Sequence, residues 1–325
     1  MRYIFNAHTD PAFNLAAEEW LLRNTDDDIF MLWRNDKAVI VGRNQNTAAE
    51  IDEAFVREHG VAVIRRLTGG GAVFHDLGNV NFTFIQHGEQ ARHLDFHRFT
   101  VPILEALRAM GVDCRFEGRN DLVIDGQKFS GNAQLVEKDR VLHHGTLLFS
   151  ARMADLSGAL RVNPVKFVGK AVKSVTKRVT NIASHLPAPM SVEAFIEQVM
   201  AHVSGGASRS ALGFTSGEEA GIGELVRSKY GTWDWNFGAS PTYGFTRGTR
   251  TPGGVVEVHL DVHHGRIQAA RIFGDFFGTR PVAGLEGRLA GCRHERADIL
   301  AVLGDVRVEE FIRDVDAATF VECLF

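Results

Sequence analysis

The sequence predicts an α+β protein in two domains, and three observations carry that prediction. Short β-rich runs are mixed with capped stretches of helical spacing along the chain. An Asp-Gly pair at Asp125-Gly126 lies between two short strands, a strong local signal for a hairpin. At 325 residues the chain exceeds the usual size of a single domain. The expected division is a first domain over 1–245, with mixed sheets and packed helices, and a small α/β accessory domain over 246–325.

Taken in order, "RYIF" reads as a strand and "DPAFNLAAEEWLLRN" as a helix. In that helix Pro11 follows Asp10, and Leu15, Ala16, Trp20 and Leu21 keep helical spacing. "DIFMLWRND" and "KAVIVGRNQN" are β-rich; "EIDEAFVREHG" is a helix closed by Gly60. "VAVIRRL" is a strand entering three glycines, and "VNFTFI" is a strand after them. "FTVPILEALRAMG" reads as a helix with Pro102 near its first turn and Gly111 at its end. "DLVIDGQKFSGNAQLV" is the hairpin, "RVLHHGTLLFS" a strand and "SVEAFIEQVMAHV" a helix. "SGGASRSALG" reads as a loop. "TWDWNFG" sets Trp233, Trp235 and Phe237 at alternate positions, "GGVVEVHLDVHHGRIQAARIFG" is a second hairpin, and a helix ends the chain.

Bulk properties exclude several classes. A formal net charge of −4 gives no global signal for nucleic acid, so any basic surface is local. Cys114, Cys292 and Cys323 are far apart, which fits a reducing cytoplasm better than a disulfide framework. No signal peptide and no run of membrane-spanning length is read. The expectation is a cytoplasmic protein, a monomer, without nucleic-acid or membrane partners. His143-His144 and His263-His264 are set aside as chelates, because neighbours on a strand face opposite sides.

The stretch "RRLTGGGAVFHD" asks for a specific explanation. Gly69, Gly70 and Gly71 permit positive φ and close approach of another group, and converging N–H groups form an anion-binding concavity. Arg65 and Arg66 suit phosphate or carboxylate oxygens. Neither a Walker A nor a dinucleotide fingerprint fits: Ala72-Val73 follow the glycines, and Phe74 stands where glycine is needed. The plainer reading is a tight turn with solvated arginines.

Several long stretches occur together: "RRLTGGGAVFHDLGNVNFTF", "GRNDLVIDGQKFSGNA", "HHGTLL" and "SVTKRVTNI". With "DPAFNLAAEEWLL" and "LWRNDKAVIVGRNQN" before them, the chain resembles bacterial lipoate–protein ligase A through about residue 240; the remainder resembles that family's accessory domain. The resemblance implies a biotin/lipoate ligase-like catalytic domain. It implies activation of lipoate by Mg-ATP to lipoyl-AMP, then transfer to a lysine of lipoyl domains of 2-oxoacid dehydrogenase complexes or of the glycine cleavage H protein.

By that resemblance Lys128 is the catalytic lysine, able to hold a carboxylate against the α-phosphate. Arg66, Gly71, Ala72, Val73, Phe74, Asp121, Lys128 and Lys173 fall at ATP or adenylate positions. Gly70, Gly71, Lys128, His144 and Gly145 fall at lipoate positions. Asp121 either orients Lys128, binds Mg²⁺ as its one protein carboxylate, or caps a turn with Asn120. His75 and Asp76 are turn-stabilising or catalytic. The basic run carrying Arg161, Lys166, Lys170, Lys173, Lys177 and Arg178 matches an adenylate-binding loop. Leu135 replaces an arginine found in some members, which leaves lipoate against octanoate open. The rivals are a cysteine-dependent octanoyl or lipoyl transferase of the same fold, which needs an activated thiolate, a biotin–protein ligase, whose own adenylate loop is not seen, and a non-catalytic lipoate-binding module.

Overall fold

The computed structural model describes residues 1–88, 94–152, 158–160, 166–169, 179–206 and 213–325. The chain divides into two compact units. The first is built from Met1–Arg43 and the described parts of Ala54–Leu160 and Ser174–Thr232; the second includes Asn44–Glu53 and Trp233–Phe325.

In the first unit the strands are β1 (Arg2–Asn6), β2 (Ile29–Trp33), β3 (Ala38–Val41), β4 (Ala62–Arg65), β5 (Val73–His75), β6 (Asn79–His87), β7 (Arg115–Glu117), β8 (Asp121–Ile124), β9 (Gln127–Glu137) and β10 (Arg140–Leu148). Seven of them form a sheet in the order β1-β2-β6-β10-β9-β8-β7, parallel only at β1–β2. The others form a three-stranded sheet, β4-β3-β5. One face of the large sheet is apolar. Phe82, Phe84 and Leu147 pack there with Phe99, Ile103 and Leu107 of the helix Phe96–Ala109, and with Phe195 and Val199 of the helix Val192–Val203. Each such side chain taken out of water contributes roughly 1.5–3 kcal/mol. Helix α1 (Pro11–Asn24) lies against β6, β10 and the helix Ser216–Leu225.

Local chemistry explains most boundaries. Asp10 caps α1 by accepting from the Phe13 N–H, and Pro11 occupies its first turn, where a missing N–H costs nothing. The helix carrying Pro102 differs from expectation. Asp95 accepts from the Arg98 N–H, so the helix begins at Phe96 and Pro102 lies in its interior. A proline there cannot donate to the carbonyl four residues back.

In the second unit β11 (Lys166–Gly169), β12 (Tyr243–Thr251), β13 (Gly254–His263) and β14 (Arg266–Gly274) form an antiparallel sheet in chain order. The expected second hairpin is β13–β14, turned by His264 and Gly265 with φ of 49° and 69°. β12 is an additional strand. The alternate aromatics of "TWDWNFG" make no strand: Asp234–Gly238 is a wide helical turn, and Trp233 stacks on Phe237 four residues on. Among the described residues no helix is long and apolar enough to cross a membrane.

Candidate active site

The position of Lys128 is set by the hairpin that carries it. Asp125 and Gly126 both take left-handed φ, 50° and 73°, as a two-residue turn of this kind requires. Beyond the turn Val123 pairs Lys128 but Leu122 pairs Ser130, so Phe129 is the extra residue of a β-bulge. In a regular strand Lys128 and Gly131, three apart, would project to opposite faces. The bulge brings them to one face, and Lys128 Nζ lies 2.8 Å from where a Cβ on Gly131 would be.

There Nζ pairs with Asp121 Oδ1 at 2.9 Å. Asp121 is buried while the Lys128 side chain is 27 % exposed, so a buried carboxylate fixes the ammonium of a partly exposed side chain. The Lys128 carbonyl accepts from the Thr180 N–H at 3.0 Å, which fixes the main chain too. Asn120 is engaged with Asn132 across β9. Of the roles considered for Asp121, the geometry matches the partner of Lys128.

The glycine loop follows β4, and its arginines are not solvated. Arg65 is fully buried, donating to the Gly42 and Arg43 carbonyls at 3.0 Å. Arg66 donates to the carbonyls of Ile40, Gly69 and Gly71 at 3.0, 2.8 and 2.8 Å and to Thr68 Oγ1 at 3.0 Å. Burial lowers both guanidinium pKa values to about 10. The Gly70 carbonyl oxygen lies against Gly42, where a Cβ would collide with it. No peptide bond is cis, so each N–H points opposite to the preceding carbonyl. The N–H groups of Gly70 and Ala72 therefore aim away from Arg66, and that of Gly71 away from Gly42. Gly70 has φ of 100°, a conformation reserved for glycine, and a Cβ on Gly69 would meet nothing within 4 Å.

Downstream, Phe74 is buried and Val73 half-buried, so Val73 presents the more accessible apolar surface. His75 is buried against Asn35, and burial lowers its pKa to about 3, which keeps it neutral. Asp76 accepts from the N–H groups of Gly78 and Arg152, both at 2.8 Å; this is turn stabilisation.

Sheet register brings lysine and loop to the same face. His144 pairs Thr83 on β6 and Ala133 on β9, so it shares a face with Gly131 and, through the bulge, with Lys128. Its Nε2 is 2.7 Å from Thr68 Oγ1, and its Nδ1 is 2.9 Å from Glu18 Oε1 on α1. His143 points the other way, stacked on Phe82 and Phe99. Gly145 also faces the core: a Cβ there would collide with Asn132 Oδ1 and the Phe82 ring. That gives Gly145 a packing reason of its own.

Lys173 and the rest of the basic run fall outside the described residues, apart from the β11 main chain. Sequence reasoning missed Glu18, Thr68, Thr83, Gly42 and Gly131. All five stand inside the quoted stretches, but none carries a local signal for its role, because sheet register, loop packing and the bulge bring them in.

The three thiols are buried. Burial raises the pKa of Cys114 and Cys292 to about 11 and raises that of Cys323 as well. None is a ready thiolate.

Two family models match in series: the lipoyl protein ligase A/B catalytic domain over residues 10–204 and the bacterial lipoate protein ligase C-terminus over 240–324. The chain is 39 % identical over 319 residues to lipoate–protein ligase 1 of Staphylococcus aureus, covering 97 % of each chain. It is 37 % identical to lipoate-protein ligase LplJ of Bacillus subtilis over the whole of both chains. Among solved structures it is similar to a lipoate-protein ligase A bound with ATP, at 25 % identity and a TM-score of 0.61, over 74 % of this chain and all of that one. It is also similar to the lipoate complex of Plasmodium falciparum LipL1, at 25 % identity and a TM-score of 0.60 over 94 % of each. Matched from one end to the other, this chain belongs to the lipoate–protein ligase family.

Proposed function

We propose that this lipoate–protein ligase works in two half-reactions on the face that carries Lys128. In the first, a lipoate carboxylate oxygen bonds to the α-phosphorus of ATP, the bond from that phosphorus to the bridging oxygen breaks, and pyrophosphate leaves. In the second, a lysine amine of an acceptor protein bonds to the acyl carbon. AMP leaves with the anhydride oxygen, and the amine gives up a proton.

The carrying observation is the Lys128 ammonium, held 2.9 Å from Asp121 on a side chain that stays partly exposed. Such a charge draws carboxylate and α-phosphate together and stabilises the negative charge that builds as the bond forms. Outward N–H groups at Gly70 and Gly71 receive phosphate oxygens, with Ala72 bordering them. Arg66 acts by holding the loop carbonyls. His144 and the glycines border the acyl chain, with Val73 and Phe74 as apolar wall. Lys173 supplies further charge to the adenylate.

A Mg²⁺ ion bound with the nucleotide would find one protein carboxylate here. Asp121 provides one carboxylate, whose Oδ1 is already on the ammonium. This fits an ion carried mainly by phosphate oxygens; when bound, it would offset phosphate charge. The unit that carries Lys128 acts as the catalytic domain, and the unit that holds residues 246–325 as the accessory domain. The proposed setting is a cytoplasmic monomer acting on lipoyl domains or the glycine cleavage H protein, with octanoate as second acyl substrate.

The test is incubation of purified protein with lipoate, Mg-ATP and candidate lipoyl domains, read as a mass shift, beside lipoate-dependent ATP–pyrophosphate exchange. The expected result is exchange, plus one acyl group on one acceptor lysine. Binding of lipoate without exchange would replace the ligase by a binding module, and ATP-independent transfer lost on cysteine replacement would replace it by the transferase.

A further inference from the structure

We propose that Glu18, His144, Thr68 and Arg66 form one hydrogen-bonded chain that sets the glycine loop for the nucleotide, with His144 and Thr68 as positioning residues. The inference rests on the nucleotide reading of that loop. Its direction follows from the donors available. Glu18 is buried, and its carboxylate accepts from Thr83 Oγ1 at 2.6 Å and from His144 Nδ1 at 2.9 Å. Thr83 in turn accepts from Trp33 Nε1 at 2.8 Å, so its hydroxyl proton goes to Glu18. With Nδ1 donating to Glu18, the proposed chain has a lone pair at His144 Nε2. That lone pair takes the Thr68 hydroxyl proton at 2.7 Å. The Thr68 oxygen then accepts from Arg66 Nε at 3.0 Å, and the far side of the same guanidinium holds the Gly69 and Gly71 carbonyls at 2.8 Å.

Each member thus has one orientation left. Arg66 is the cation that aims the loop's N–H groups outward, and Glu18 is the opposite charge that favours its charged form. The planar guanidinium transmits orientation because its fork is rigid: a donor fixed at Nε fixes the direction of the other two nitrogens. A merely structural chain would hold the fold and leave nucleotide affinity alone. This one ends on the carbonyls whose orientation decides where the loop amides point.

Thr68→Val keeps the shape and removes the hydroxyl; Thr68→Ser keeps the hydroxyl. In lipoate-dependent exchange, Thr68→Val should raise the KM for ATP about tenfold, the scale of one lost buried hydrogen bond. Its kcat and the KM for lipoate should change far less, and Thr68→Ser should return the ATP value to near wild type. A wild-type ATP KM in Thr68→Val, or a loss in kcat that serine does not rescue, would overturn the proposal. Histidine ¹⁵N spectra of the unmodified protein test it independently of any variant's folding. His144 should be the Nδ1–H tautomer, and an Nε2–H tautomer would end the chain as written. If the wild-type protein shows no exchange at all, the ligase reading falls instead, while the tautomer still judges the hydrogen bonds.

Discussion

The antiparallel strands β6, β10, β9 and β8 of the first unit and β12, β13 and β14 of the second are built alike but bury different side chains. The second sheet covers its core with Phe245, Val256, Val258, Leu260, Val262, Ile267 and Ile272, and a buried polar group beside it is His294. That ring is held between the Tyr243 hydroxyl and the Leu324 carbonyl at 2.7 Å each. The first unit buries Glu18, Arg65, Arg66, Thr68, Thr83 and Asp121 around one sheet face. Desolvating such groups costs free energy unless each finds a partner. The second unit is organised for packing. The first gives up some packing for a fixed arrangement of charge.

The comparison breaks most sharply at Lys128. Lys128→Ala should lower lipoate-dependent exchange by about 10²–10³-fold, the usual scale for removing one electrostatic contact to a transition state. It should leave the circular dichroism spectrum unchanged. Removing an exposed cation of the second sheet, Arg271, should change neither. Near-normal exchange in Lys128→Ala would remove the reason for assigning chemistry to this face.

How much of this was legible follows from where the information sits. Asp10-Pro11 and Asp125-Gly126 act on their own neighbours, so α1 and the β8–β9 hairpin could be read directly. The hairpin also delivered Lys128 and Asp121 together. The Phe129 bulge could not be read, because it depends on which residue of β8 each residue of β9 meets. Glu18 could not be singled out, since nothing local tells that His144 and Thr83 lie above it. The arginines read either as an anion site or as solvated, and nothing local shows that both donate to main-chain carbonyls. In the proposed reading their effect on an anion passes through the loop they hold.

Two glycines offer a matched pair of perturbations. A Cβ on Gly42 would collide with the Gly70 carbonyl oxygen, and one on Gly253 with the Arg313 carbonyl oxygen. Backbone cannot swing aside as a side chain can, so alanine at either site should destabilise its own unit by about 1–3 kcal/mol. Only Gly42→Ala should also lose adenylate formation, by displacing the glycine loop. Equal losses of exchange in both variants, at a temperature where both are folded, would show that the loop has no special part.

Buried imidazoles extend the contrast to pH. Burial lowers His75 to about 3 and His143 well below its usual value in the first unit, and lowers His294 to about 4 in the second. A histidine depressed in the folded state takes up its proton on unfolding. Its stabilisation is therefore complete above pH 6.5 and is lost as the pH falls toward the folded value. Between pH 6.5 and 5 each such group removes up to about 1.4 kcal/mol per pH unit, so the first unit, with two, should weaken about twice as steeply as the second. Amide exchange followed separately in the two units measures this, and equal slopes would contradict the assignment of two neutral rings to the first.

The smallest expected effect on the fold is the most discriminating for the site. Gly69 has ordinary φ, and a Cβ there would meet nothing within 4 Å. Gly69→Ala should therefore change stability by no more than about 0.5 kcal/mol. The added methyl group would stand in the space a ligand needs to reach the loop amides. A raised KM for ATP with an unchanged melting temperature would separate ligand approach from structure, which Gly42→Ala cannot do. An unchanged KM would mean that the nucleotide approaches the loop from the side of Gly70 and Gly71 alone, leaving the outward N–H groups there as the part of the motif that still needs bare backbone.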